Sequence, residues 1–397
     1  MNILFLMLTY SEKSPNMYSD LAEEFRDHGH KVTIMAPATP LLNPGIYSEN
    51  GFVIVRVKTP KTQGVSNLIK KGIGLALMPY NYKRAYKSYL SKSKFDLIFM
   101  PTPPITLIDF VAYVKKKTNA VFYLILRDIH PQSAAGIGLI KYKFMYNYLE
   151  RRASKGYKMA NLIGCMSYGN IDFIAENYPT IDKNKLVLLM NWQKHTGYSK
   201  PKTNIREKFG WQEKLLILFG GNIGLGQRVE NIIDLAEHYS HNENIIFLVI
   251  GKGVKKETMK QMAEEKKLEN IKFIDFMPRD EYLDFVKSVD IGLISINERY
   301  KVPTCPSKAV SYMSLKIPLF AMINPGNDYG EIIEKAGAGY WAEGNDKEKT
   351  YVLFEKMCSD KLLRKEMGEN GYNFYLTNLT SEIAFNTIIN QINNAKA

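Results

Sequence analysis

The chain has 397 residues, 45% of them hydrophobic and 23% charged, and a formal net charge of +13. That length exceeds one ordinary core and predicts two or three domains, and the composition excludes a disordered or fibrous chain. Three scattered cysteines, Cys165, Cys305 and Cys358, give neither a disulfide framework nor zinc-ligand spacing, which predicts a reducing compartment.

The N-terminal run Asn2–Leu8 is apolar without a basic flank or a small-residue cleavage site, so it reads as a buried first strand rather than a signal peptide. Further strand-like runs follow at Lys31–Ala36, Phe52–Val57, Asp96–Met100, Val121–Leu126, Leu162–Met166 and Leu186–Met190. Helical periodicity lies between them at Met17–His28, Leu68–Leu90, Ile105–Thr118, Tyr142–Lys158 and Gly169–Asn177. A polar stretch over 193–204 reads as a linker. A second alternating series then begins with strands at Leu215–Phe219, Ile245–Ile250, Ile271–Phe273, Ile291–Ile294 and Leu319–Met322. Its helices start near Val229, Lys255, Arg279 and Pro306. Apolar strands alternating with helices predict two doubly wound parallel sheets, each covered on both faces, whose ligands bind beyond the carboxyl ends of the strands. No window holds about 20 uninterrupted apolar residues, as a membrane-spanning helix needs.

The charge is unevenly spread. Residues 1–195 hold 26 basic and 13 acidic residues, whereas the remainder is neutral. Within 56–158 there are 20 basic and 4 acidic residues, which points to a polyanionic partner for the first half alone.

Two motifs in the second half suit an anion. In Phe219-Gly220-Gly221-Asn222-Ile223-Gly224-Leu225-Gly226-Gln227-Arg228, four glycines after a strand let the backbone approach a ligand, and the next helix start offers free N–H groups and a positive dipole. The same run could be a sharp turn that binds nothing. In Thr304-Cys305-Pro306-Ser307-Lys308, Thr304 or Cys305 is expected at the N-cap and Pro306 at the first helical position. The amides of Ser307 and Lys308, with the Lys308 ammonium, would then form a fixed anion site. Gly251-Lys252-Gly253 reads first as a plain turn with a solvated lysine.

These motifs carry a resemblance. The chain resembles a retaining glycosyltransferase of family 4, in its capsule and O-antigen branch. Gly29-His30-Lys31-Val32, Arg127-Asp128-Ile129-His130-Pro131-Gln132-Ser133-Ala134, Met190-Asn191-Trp192, Gly221-Asn222-Ile223-Gly224, Pro306-Ser307-Lys308 and Tyr312-Met313-Ser314 carry it. The resemblance implies the GT-B fold: two Rossmann-like domains, residues 1–195 and 205–379, facing across a cleft, with a C-terminal helix near 380–397 packing back on the first. It implies a UDP-sugar donor in the second domain, held by Gly221, Asn222, Gly224, Arg228, Lys252, Pro306, Ser307, Lys308 and Ser311, with no metal and no other cofactor. The chain departs from the family where Asn222 and Gln227 replace an Arg and a Lys, and where Pro303 and Ser311 replace a pair of glutamates. Glu298 is the nearest acid to take up their part.

Asp128 and His130, two residues apart after a strand, could bind a sugar hydroxyl, move a proton or orient the donor, or could cap a turn beside Pro131. The resemblance favours the functional reading and makes Asp128, His130 and Glu298 the catalytic candidates. The basic first half, with Lys70, Lys71, Lys83 and Arg84 around an apolar centre, suits an anionic leaflet. The expected reaction moves a hexose or N-acetylhexosamine, the N-acetylfucosamine type included, to a polyprenyl-diphosphate-linked sugar. The expected place is the cytoplasmic face of a bacterial inner membrane, with the chain attached peripherally and no nucleic acid bound. A nucleotide-sugar 2-epimerase and a silent scaffold of a polysaccharide assembly complex are the rival readings.

Overall fold

A computed structural model describes residues 1–12, 15–39, 42–60 and 68–395, without the side chains of 68–71. The chain forms two compact units, residues 1–190 with 381–397, and residues 191–380. The boundary falls before the polar stretch 193–204, because that stretch is bonded into the second unit. Asn191 Nδ2 donates to the Cys305 carbonyl at 2.9 Å, and Gln193 Nε2 to Ser314 Oγ at 3.0 Å.

Unit 1 runs β1 (Asn2–Leu6), α1 (Met17–Asp27), β2 (Lys31–Pro37), β3 (Gly45–Glu49), β4 (Phe52–Val57) and α2 (Leu68–Tyr89). Then come β5 (Leu97–Pro101), α3 (Ile108–Thr118), β6 (Val121–Leu126), α4 (Gln132–Gly136), α5 (Lys143–Met159), β7 (Leu162–Cys165), α6 (Tyr168–Asn177) and β8 (Leu186–Leu188). The strand order is β3-β4-β2-β1-β5-β6-β7-β8. The sheet is mixed rather than purely parallel, because β3 pairs antiparallel with β4. Asn50 and Gly51, with φ of 49° and 77°, form the two-residue turn, whose positive φ values match it to the right-handed twist of the paired strands.

Phe5, Phe99 and Tyr123 stand opposite one another across β1, β5 and β6, so their rings form one row on one face of the sheet. Phe25 of α1 packs on Phe99, with ring centres 5.2 Å apart. α15 (Ser381–Asn394), which follows unit 2 in the chain, closes this face: Phe385 meets Phe25 edge-on at 4.8 Å, and Tyr123 Oη donates to Gln391 Oε1 at 2.7 Å. On another flank α2 packs against α3, and α3 against α5. No helix among the described residues is long and apolar enough to cross a membrane.

Unit 2 begins with α7 (Ile205–Phe209), β9 (Leu215–Asn222), α8 (Glu230–His238), β10 (Ile245–Lys252), α9 (Lys256–Glu265), β11 (Ile271–Ile274) and α10 (Arg279–Val286). It continues with β12 (Ile291–Ser295), α11 (Ser307–Ser314), β13 (Leu319–Ile323), α12 (Tyr329–Lys335), β14 (Gly339–Glu343), α13 (Lys347–Ser359) and α14 (Lys361–Asn378). All six strands are parallel, in the order β11-β10-β9-β12-β13-β14. Two halves therefore wind outward from β9 in opposite directions, and the crevice at the β9/β12 switch point is where such sheets take ligands.

The register shows how that crevice opens. β9 stays paired with β10 as far as Asn222 opposite Lys252, but its pairing with β12 ends at Leu218 opposite Gly292. Beyond that point the β12-facing backbone of β9 has lost its ladder, yet it is buried and must be bonded. Tyr312 of α11 supplies the bonds: its hydroxyl donates to the Leu218 carbonyl at 3.1 Å and accepts from the Gly220 N–H at 3.3 Å. The Tyr312 ring lies flat on Gly292, where a Cβ would sit 2.5 Å from Cδ2.

Tyr312→Phe keeps the ring and removes both bonds. With a buried polar group left unmade at about 1–3 kcal/mol each, unit 2 should lose about 2 kcal/mol or more. Trp192, Trp211 and Trp341 all lie in unit 2, so urea unfolding followed by tryptophan fluorescence reads the loss; an unmoved midpoint would show the hydroxyl to be idle.

Candidate functional site

The glycine turn at the end of β9 is shaped by crowding from three sides. A Cβ on Gly220 would lie 2.1 Å from Tyr282 Oη, and Gly221 has φ +106°. From the β10 side, a Cβ on Gly251 would lie 1.9 Å from the Gly221 carbonyl, and one on Gly253 2.2 Å from that of Ile223. The Gly251-Lys252-Gly253 turn is thus bare so that the neighbouring backbone can pass close to it. Lys252 itself is exposed, its ammonium 4.2 Å from the centre of the Phe276 ring. From the β12 side, the Asn297 N–H donates to the Gly226 carbonyl, and Asn297 Nδ2 to that of Leu225, both at 3.0 Å. Ser295 Oγ donates to the Arg228 carbonyl at 2.7 Å, and Tyr300 Oη fills the space a side chain at Gly226 would need. Asn222 is exposed at the strand end, and its amide lies over Gly224.

α11 starts one residue later than its sequence suggests. Pro306 is the N-cap (φ −70°, ψ 121°) and Ser307 the first helical residue, because the extended ψ of Pro306 ends the incoming segment there. Thr304 does not cap the helix; its Oγ1 accepts from Asn327 Nδ2 at 3.0 Å. No side chain caps the helix start, so its first amides stay available.

Lys308, in the first turn of α11, lies along Gly221, its Cε 3.9 Å from where a Cβ would be. The ammonium donates to Gln227 Oε1 at 3.1 Å and stands 3.8 Å from the centre of the Phe219 ring. No described carboxylate pairs with it. Burial pushes the ammonium down to about 7, although the side chain as a whole is only half-buried. A cation held by a ring face and an amide oxygen, beside a bare turn and an uncapped helix start, is suited to an anion. Gln227 and Phe219 are site residues that sequence reasoning passed over. The signal for Gln227 was its departure from the lysine that the resemblance leads one to expect there; its amide oxygen holds the Lys308 ammonium.

The other expected donor residues behave differently. Arg228 Nη1 pairs with Glu298 Oε1 at 2.6 Å. Burial opposes the charge on Glu298, but its own backbone N–H and Arg228 outweigh burial and hold the carboxyl below its ordinary value. Glu298 is therefore an ionised partner of Arg228 near neutral pH and not a proton donor. Ser311, at the family's glutamate position, donates its hydroxyl to Gln193 Oε1 at 2.9 Å.

In unit 1, Asp128 and His130 follow β6. Thr102 Oγ1, at the end of β5, accepts from the Arg127 N–H and donates to the Asp128 carbonyl, both at 3.2 Å, which fixes this strand end. Solvent reaches the Asp128 side chain, yet the surrounding protein desolvates it enough to push the carboxyl above its ordinary value, against the pull of Arg127. Tyr18, in the first turn of α1, lies near enough to feel both charges. His130 is half-buried. Lys83 and Arg84 are exposed on α2, with Lys83 4.5 Å from the Tyr113 ring centre; the side chains of Lys70 and Lys71 lie outside the described residues.

Residues 201–374 match the family described as glycosyl transferases group 1. A relative in Pseudomonas aeruginosa named "Probable glycosyltransferase WbjE" is 23% identical over 339 residues, covering 82% of this chain and 81% of its own. One in Escherichia coli K12 named "Putative colanic acid biosynthesis glycosyl transferase WcaI" is 29% identical over 102 residues, 26% of this chain and 25% of its own. Among solved structures, sucrose-phosphate synthase from Thermosynechococcus elongatus superposes with a TM-score of 0.78 at 11% identity, over 99% of this chain and 98% of that one. HepE of Anabaena, solved in complex with UDP, superposes with a TM-score of 0.72 at 14% identity, over 99% and 100%. At such identities the likeness to the solved structures is one of fold. Taken with the family match over unit 2 and the relative that spans most of the chain, it identifies this protein as a glycosyltransferase of the GT-B fold.

Proposed function

We propose that the enzyme transfers a hexose or N-acetylhexosamine from a UDP-sugar, with retention at the anomeric carbon, to a polyprenyl-diphosphate-linked acceptor in capsule or O-antigen synthesis. The observation that carries the donor reading is Lys308, a cation with no carboxylate partner among the described residues, beside the glycine turn and the uncapped start of α11. As the bond from the sugar to the diphosphate breaks, charge grows on the leaving oxygens. Lys308 and the first amides of α11 meet that charge, the part a divalent ion plays in other transferases. Arg228, already neutralised by Glu298, adds less. UDP is the favoured nucleotide because HepE, which shares the fold, is solved in complex with UDP and with UDP-glucose. The name of WcaI, colanic acid biosynthesis, supports an extracellular polysaccharide as the product. Unit 1 takes the acceptor: its surplus of positive charge suits a lipid diphosphate at the cytoplasmic face of the inner membrane, and Asp128 and His130 serve the acceptor sugar within that unit.

Calorimetry with UDP and with uridine tests the donor site. Lys308→Ala removes one charge-assisted contact, about 1.5–3 kcal/mol, so UDP should bind about ten- to a hundred-fold more weakly while uridine is unaffected. Equal UDP affinity would refute the site, and a parent that binds no nucleoside diphosphate would favour the silent scaffold.

The same ligand has a pH signature. In the empty site Lys308 loses its proton as the pH rises through about 7. UDP requires the charged form, so affinity is complete below that pH and falls above it, by roughly ten-fold per unit at most. Lys308→Met should flatten the profile between pH 7 and 8.5; a parent profile already flat would show that the ammonium stays charged throughout.

Asp128→Asn and His130→Ala should each lower turnover ten-fold or more, on the scale of about 10²–10⁴ for a positioned acid or base. UDP affinity should be nearly unchanged, since both residues lie in the other unit. Full turnover in both variants would leave them a structural role only.

A further inference from the structure

Two helices of unit 1 run past the edge of their own sheet. α3 and α5 lie side by side: Asp109 pairs with Arg152 at 3.1 Å and with Lys155 at 2.6 Å, and Lys115 with Asn161. These pairs set residue 109 of α3 level with about 155 of α5, so the first two turns of α5 extend beyond the start of α3. In α2, Tyr82 Oη donates to the Met7 carbonyl just after β1, at 3.4 Å. That contact places residue 82 at the carboxyl end of the strand and leaves the helix before it beyond the sheet.

Both overhangs carry the same outward pattern. On α2, Ile73, Leu77 and Tyr80 are exposed at helical spacing, followed on the same face by the exposed Arg84 and Lys87. The opposite face, through Met78, Tyr82 and Tyr86, is buried. On α5, Phe144 and Tyr148 are exposed and the exposed Arg151 follows; Tyr142 stands just before the helix. Tyr80 is 65% and Phe144 71% exposed, and each stands among other exposed apolar side chains rather than singly. Residues 57–95 and 129–149 contain no acidic residue at all.

We propose that these two helix tips are the membrane-docking surface of the enzyme, with their rings and aliphatic side chains seated in the interface of an anionic leaflet. Arg84, Lys87 and Arg151, one or two turns behind, meet its headgroups. Aliphatic and aromatic tips backed by cations complement an anionic interface; Glu150, between Tyr148 and Arg151, is engaged by Gln132 Nε2 at 2.9 Å. The inference rests on the lipid-linked acceptor reading and adds the residues that enter the lipid.

The test uses the full chain and vesicles of phosphatidylglycerol or phosphatidylcholine. The parent should sediment with the former and be released by salt. Phe144→Ser with Tyr148→Ser, and separately Ile73→Ser with Leu77→Ser, should each weaken sedimentation about ten-fold or more. Arg84→Ser with Lys87→Ser should weaken it by roughly ten-fold at low salt. Because the three native tryptophans lie in unit 2, Phe144→Trp adds a reporter whose emission brominated lipid should quench beyond the parent's. Far-UV circular dichroism and a thermal melt on each variant show that unit 1 remains folded, and UDP calorimetry shows the same of unit 2. Variants that sediment like the parent, or an introduced indole that escapes quenching on bound protein, would overturn the proposal and hand the surface to a protein partner. A parent that binds UDP and ignores vesicles would overturn docking alone; one that docks but binds no UDP would overturn the donor reading alone.

Discussion

The second unit of this enzyme depends on a parting of two strands. β9 and β12 share a ladder for two residue pairs and then diverge, and a sheet that splits this way must dispose of the backbone groups it has unpaired. One phenol hydroxyl does so from a helix, which places the start of that helix beside the split. The position of Lys308 follows from that of Tyr312, four residues on. The glycines follow too: Gly292 is bare to seat the phenol ring, Gly220 to pass Tyr282, and Gly251 to clear the Gly221 carbonyl. The turn is a backbone surface with almost no freedom to carry side chains, and its shape is fixed by its neighbours.

Two cations near this turn differ in what they can offer. Arg228 is matched by a carboxylate at 2.6 Å, so a bound anion would have to compete with Glu298 for it. Among the described residues Lys308 meets a ring face and an amide oxygen, which orient an ammonium without neutralising it. The desolvation that makes its charge unfavourable in the empty site also strengthens its attraction for an incoming diphosphate. On the proposed donor reading, a bound diphosphate offsets that cost.

Much of this was legible in the sequence. β4, β6 and α10 start where their apolar pattern starts, because buried strands and amphipathic helices leave strong periodic signals. β3 was not seen, although Asn50-Gly51 between two alternating runs is a hairpin signal; Pro44 and the short, half-exposed strand hid it. The late start of α11 was missed because proline fits an N-cap as well as the first helical turn, and only ψ tells them apart. The boundary at 190 was missed because polar composition marks a linker but does not show which unit its hydrogen bonds join. Lys308 was singled out from its motif, whereas Phe219 and Gln227, which define its environment, come from another strand and turn. Partnerships across the fold leave no local pattern to read.

The closing of unit 1 by α15 has a consequence for biosynthesis. Synthesis from the N-terminus delivers the whole of unit 2 before α15 becomes available. Until then Phe25 and the ring row of Phe5, Phe99 and Tyr123 lack the cover that Phe385 and Gln391 give them. Unit 2 is contiguous and can complete its core while still tethered, whereas unit 1 must wait, incompletely covered, for some 190 residues of chain to be made. The nascent enzyme therefore has a half that is made first and finished last, and that half is where chaperones would find it.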